Sequence, residues 1–144
     1  MKLWRKGRRC GVEGEPVLMA TQEQDYRSLS THYLENGLRS LQEGDVEKTG
    51  EFLWGSMAAA VKAVAARRGL SVQSHRDIRR YARRLATEEG EPEIFGDFLQ
   101  AEHLHANFYE VFLEREDLEA VVGVIRYRVA FLLQMPAERG DRGS

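Results

Sequence analysis

The chain has 144 residues, of which 42% are hydrophobic and 31% charged, with a formal net charge of −2 at pH 7. That length suits one domain, and the composition is too apolar for an intrinsically disordered chain. The single cysteine, Cys10, excludes an internal disulfide. A reducing cytoplasmic setting is therefore expected, with no role at a membrane, because no apolar run is long enough to span one.

Residues 1–20 carry Gly7, Gly11, Gly14 and Pro16 without an apolar period and read as a flexible basic leader. From Thr21, Tyr26, Leu29, Tyr33, Leu34, Leu38 and Leu41 recur at three- and four-residue steps, one apolar stripe of a helix that Gly44 ends. Asp45 is an N-cap for a second helix, with Leu53, Met57, Ala60 and Val64 on its stripe and Trp54 and Val61 beside it. Its small residues from Gly55 to Ala66 suit the close approach of another helix. Gly69 closes it. Ser74 caps a third helix, where Ile78, Tyr81, Ala82 and Leu85 share one side and arginines the other, up to Gly90.

Pro92 opens a fourth helix carrying Ile94, Phe98, Ala101, His105, Phe108 and Phe112. Asp117 begins a fifth, with Leu118, Val121, Val122, Ile125, Val129 and Leu132, ending near Pro136. No segment has the alternation of a strand. The fold expected is all-α, an antiparallel up-and-down helical bundle of four to five helices over residues 21–136, followed by a flexible tail over 137–144.

Charge is uneven. Residues 1–10 hold five of the 21 basic residues and no acid, leaving 16 basic against 23 acidic in the remainder. Seven arginines, Arg67, Arg68, Arg76, Arg79, Arg80, Arg83 and Arg84, fall within eighteen residues whose one acid is Asp77. Arg76, Arg79, Arg80 and Arg83 share a helical face. They form either a solvated side of an acidic protein or a phosphate-contacting surface, since guanidinium groups grip phosphate oxygens in bidentate fashion.

Walker, GxGxxG, GxSxG, HExxH and CxxC signatures are all missing from the sequence, and no cofactor is expected. His32 reads as an ordinary surface residue. His103 and His105 are two apart, about 200° around a helix, so they do not chelate one metal from a regular face, and no metal site is expected. His105 lies on the apolar stripe one turn before Tyr109, with His103 and Asn107 on the more polar side. This segment is either a satisfied core histidine with its neighbours or a polar cluster in which imidazole works as an acid or base. His75, next to the Ser74 cap, either helps to start its helix or joins such a cluster.

Three segments together carry a resemblance: Leu53-Trp54-Gly55-Ser56-Met57 running on to Ala65, then Ser74-His75-Arg76, then Leu104-His105-Ala106-Asn107-Phe108-Tyr109-Glu110. Over roughly Gln24 to Gln134 the chain resembles the archaeal PaREP family, placed in the HEPN superfamily of small helical bundles. That resemblance implies a bundle that commonly forms homodimers and a link to toxin–antitoxin pairs or defence. Some superfamily members are metal-independent ribonucleases, and others act beside a partner such as a nucleotidyltransferase. The ribonuclease members share an Arg followed closely by a His, presented across a dimer cleft. Here Arg68 and His75 are separated by Gly69 through Ser74, whereas the nearest arginine upstream of His103 is the distant Arg84.

The function expected from all this is a HEPN-like binding domain for a nucleotide, RNA or a partner protein. Arg76, Arg79, Arg80, Arg83, His103, Asn107 and Tyr109 would form its binding residues. The alternatives are a metal-independent endoribonuclease using His75, His105 and Arg68, and a structural antitoxin-like partner.

Overall fold

The computed structural model describes residues 14–106 and 113–138. Five helices make up the domain: α1 (Gly14–Gln42), α2 (Val46–Arg67), α3 (His75–Glu89), α4 (Glu93–Ala106) and α5 (Arg115–Leu133). No strand occurs among the described residues. The all-α helical bundle expected from the periodicities is the observed one, with two differences at α1. This helix starts at Gly14, inside the stretch read as a leader. Leu29, placed on the apolar stripe, is 38% exposed, while the neighbouring Ser30 is fully buried.

The helix ends follow the local chemistry. The Asp45 side chain accepts the Lys48 amide at 3.1 Å, and the Ser74 hydroxyl accepts that of Asp77 at 3.0 Å. At Glu114 the backbone amide donates to the Asp117 carboxylate at 2.8 Å, which starts α5 two residues before the position read from sequence. Gly90, at φ +68°, closes α3 in the left-handed conformation; Glu91 N then reaches Ala86 O at 3.0 Å, as in a Schellman turn.

α2 is the central helix. Leu53, Met57, Ala60, Val61 and Val64 are buried on it, against Tyr81, Ala82 and Leu85 of α3, Ile94, Phe98 and Ala101 of α4, and Leu118, Ile125, Val129 and Leu132 of α5. α1 packs along α2 antiparallel and very close. The Ser30 hydroxyl donates to Ser56 O and the Ser56 hydroxyl to Ser30 O, each at 2.8 Å. A Cβ at Gly55 would meet the Tyr33 ring at 2.8 Å. The small residues of α2 thus do what their size suggests: they let a neighbouring backbone come near.

α3 departs from strict alternation of direction. Arg68, at the end of α2, pairs with Glu89, at the end of α3, at 3.3 Å; the Trp54 ring, about four turns earlier on α2, lies against His75 at the start of α3, tilted by 33°. Contacts fourteen residues apart on both helices run in the same order, so α2 and α3 are parallel. Residues 69–74 must travel back about 20 Å, near the full reach of six residues in extended form. The order then alternates again. α4 returns along α3, with Phe95 near Arg83 and Glu102 near Arg79. α5 returns along α4, with Arg128 Nε on Asp97 at 2.8 Å.

Candidate functional site

The return of residues 69–74 sets His75 beside the middle of α2. There Trp54, only 8% exposed, forms the floor of a small cluster. Its ring centroid lies 5.0 Å from that of His75, 5.4 Å from that of His105 and 5.4 Å from that of Phe98, which meets it edge-on. The two imidazoles are 5.9 Å apart. α2 contributes Trp54, α3 His75, and α4 both Phe98 and His105, so the cluster exists only in the folded chain.

Each imidazole is held by a carboxylate. His75 Nε2 lies 2.8 Å from Glu102 Oε2, and His105 Nδ1 lies 3.2 Å from Glu51 Oε1. Those bonds fix which nitrogen carries the proton, and they leave Nδ1 of His75 and Nε2 of His105 without a partner among the described residues. Both side chains reach solvent: 48% of the His75 side chain and 34% of the His105 side chain are exposed. His105 is therefore neither a sealed core residue nor a loose surface one. Glu102 also takes Arg79 Nε at 3.3 Å, which joins the histidine cluster to the arginine face of α3.

On that face Arg76 and Arg80 are exposed and have no carboxylate partner among the described residues. Arg83 lies with its guanidinium 5.0 Å from the Phe95 ring centroid, and Arg79 has its own at 6.0 Å. Ile78, Tyr81 and Leu85 occupy the opposite, buried side, as the sequence pattern required.

Two other expected site residues stand elsewhere. Arg68 is 7% exposed at its side chain and pairs with Glu88 at 3.8 Å and Glu89 at 3.3 Å. It also donates to the carbonyls of Pro136 and Glu138, both at 3.3 Å. This end of α3 is about 20 Å from His75, so the Arg68 guanidinium ties α2 and α3 to the C-terminal segment and does not join the histidines. Burial raises the Tyr81 phenol above its ordinary range beside it, and the Arg68 guanidinium partly opposes that rise. His103 points to the other side of α4, in a cavity of about 400 Å³ that Leu113, Asp117 and Val121 also line. Asn107 and Tyr109 lie outside the described residues, as do Phe108 and Phe112.

A profile of the Archaeal PaREP1/PaREP8 family matches residues 25–127, a span that takes in Trp54, both histidines and the whole arginine face. The chain belongs to this family. No curated protein and no solved structure matches it. In this PaREP1/PaREP8 chain, sequence reasoning named His75, His105 and Arg79 but missed Trp54 as their support and Glu51 and Glu102 as their partners. The one local sign was the i, i+3 spacing of Glu51 and Trp54, which puts both on one side of α2. No helix among the described residues is long and apolar enough to cross a membrane.

Proposed function

We propose that this protein is a HEPN-like helical domain that binds a phosphate-bearing ligand, RNA or a nucleotide, on the surface formed by α3 and the histidine cluster. One observation carries the reading: the Glu102 carboxylate joins His75 and Arg79, so the arginine face and the paired imidazoles are a single continuous surface. Arg76, Arg80 and Arg83 supply cations with no carboxylate partner among the described residues, which phosphate oxygens suit.

The test is salt dependence. Each neutralised phosphate releases condensed counterions, so binding to a single strand should weaken with a log–log slope of about −0.7 per contact. Reversing Arg79 and Arg83 to Glu should flatten that slope, at a stability cost of about 1 kcal/mol or somewhat more, because Arg79 gives up its half-exposed pair with Glu102 and a like charge takes its place. Unchanged binding and slope in this double variant would reduce the arginine face to solvated surface.

A second reading, metal-independent RNA cleavage, is favoured by the two carboxylate-held imidazoles 5.9 Å apart. One imidazole takes the 2′-hydroxyl proton as that oxygen attacks phosphorus. The other gives a proton to the 5′-oxygen as the P–O5′ bond breaks, leaving a 2′,3′-cyclic phosphate and a 5′-hydroxyl. Both groups come from one chain, so this reading does not need the dimer cleft that the superfamily resemblance implies. Incubation with mixed RNA in EDTA separates the two: intact RNA that comigrates with the protein identifies a binder, and cyclic-phosphate ends lost in His75→Ala and His105→Ala identify a nuclease.

A further inference from the structure

Where α3 gives way to α4, a groove of about 430 Å³ opens between Arg83, Ala86, Thr87, Gly90, Pro92 and Phe95. Its volume is that of a small-ligand site, and it lies on the same side of α3 as the arginine face, one turn beyond Arg79. We infer that it receives an unstacked nucleobase, and that the ligand of the surface is a single-stranded polynucleotide rather than a duplex or a free nucleotide. This rests on the phosphate-binding reading above and narrows it.

The groove pairs a ring with a planar cation. The Arg83 guanidinium, 5.0 Å from the Phe95 centroid, has no carboxylate partner among the described residues, so its hydrogen-bonding edge is free for the rim of a base or a phosphate. Phe95 itself is half-buried and backed by the parallel ring of Phe98, with centroids 6.1 Å apart, which holds it in place. Ala86 and Pro92 add apolar wall, and the Thr87 hydroxyl donates to Arg83 O at 3.3 Å. A guanidinium held over an aromatic ring beside an apolar wall is a platform on which an unpaired base stacks, and stacking tolerates any base.

The cations beside the groove continue the match. Arg83, Arg80 and Arg76 are spaced by three and four residues, about 4.5 and 6 Å along the helix axis, comparable to the step between neighbouring phosphates of one strand. A strand with a base in the groove can therefore run its backbone along α3 toward His75. A duplex keeps its bases stacked inside and offers none to the groove. A mononucleotide fills the groove but meets only one cation.

The experiment is fluorescence anisotropy with a labelled single strand, its duplex, an abasic strand of equal length and a labelled mononucleotide, each against the full chain at several salt concentrations. The single strand should bind tightest, and the abasic strand should lose about five- to a hundredfold, the range expected for one stacked base. Phe95→Leu should show the same loss on the single strand and none on the abasic one. Arg83→Lys should keep the salt slope and still lose affinity, because charge is retained and the planar group is not. Equal binding of single, duplex and abasic strands with a steep salt slope would overturn the groove assignment and leave the phosphate reading standing. No salt-dependent binding of any of them would overturn both. The abasic comparison uses the unaltered protein, so it decides the matter even if Phe95→Leu folds poorly.

Discussion

Glu102→Gln should make the protein bind polyanions more tightly. The Glu102 side chain is 19% exposed and sits against Arg79 at 3.3 Å and His75 at 2.8 Å, and both of these are about half exposed. Solvent at the two outer partners screens the pairs, so each contributes only about 0.2–1 kcal/mol to stability. Their joint loss, about 0.4–2 kcal/mol, should lower the thermal midpoint by about 1–10 °C for a chain of this size, on the order of 3–5 °C per kcal/mol. Binding should move the other way. With the carboxylate gone, Arg79 is free to meet a phosphate, and the log–log salt slope should steepen by about 0.7. Affinity should rise about two- to fivefold at low salt, the same Coulombic quantity seen from the ligand's side. Glu119→Gln is the control. It removes an equal charge from an i, i+4 pair with Arg115 at 3.1 Å on α5, away from the arginine face, and should leave the slope as it was. Weaker binding in Glu102→Gln, or a slope shared with Glu119→Gln, would refute the placement of Arg79 on the binding surface. If the protein cleaves RNA, this variant should cut more slowly while binding more tightly, because a neutral amide replaces the carboxylate that holds His75.

Gly55→Ala should gain about 1 kcal/mol of helix propensity yet lose more by overpacking, about 1–3 kcal/mol, because the new methyl meets the Tyr33 ring at 2.8 Å; a urea midpoint above that of the parent protein would show that α1 can retreat. Asp97→Ala should cost about 3 kcal/mol, the low end for a broken buried pair, since Arg128 is 5% exposed and its one other carboxylate among the described residues is Glu91 at 3.8 Å; Arg128→Met should cost less, and the reverse order by chemical denaturation would contradict this account. Tyr81 has a raised pKa through burial, so the folded state holds its phenolic proton more strongly than the unfolded chain does. Its contribution to stability is complete below pH 10 and is lost as pH rises through the higher folded value. Tyr81→Phe should accordingly be less sensitive to alkaline unfolding than the parent, and an identical stability profile above pH 10 would sink that assignment.

Much of the fold was legible because the forces that set it are local. Asp45, Ser74 and Gly90 cap helices through their own side chains or backbone freedom, and the arginines of α3 oppose Ile78, Tyr81 and Leu85 by helical period alone. Leu29 was misplaced because hydrophobicity alone does not reveal what faces α1. The face that packs on α2 is chosen by close approach, so Ser30 takes the buried place opposite Ser56 and Leu29 is left outside. Within the site, His75 and His105 carried a chemical signal of their own. Glu102 and Glu51 did not, because their partners are 27 and 54 residues away and each is one carboxylate among 23 acidic residues.

The direction of α3 explains why the site was harder to read than the fold. A short connection between helices favours antiparallel neighbours, and under that rule His75 would have stayed near Arg68, at the end of α2, as an adjacent Arg and His. After the turn at Gly69, residues 70–73 instead carry no helix or turn. The caps at both ends fix this: Gly69, at φ +79°, ends α2, and Ser74 starts α3 about 20 Å back along it. The detour separates Arg68 from His75 and gives each a different neighbourhood, Arg68 with Glu88, Glu89 and the C-terminal segment, His75 with Trp54, His105 and Glu102. The histidine cluster therefore depends on the length of this connection more than on the sequence spacing of Arg68 and His75. Shortening it would pull His75 away from Trp54 and break the imidazole pair, while the caps and core of the individual helices would remain.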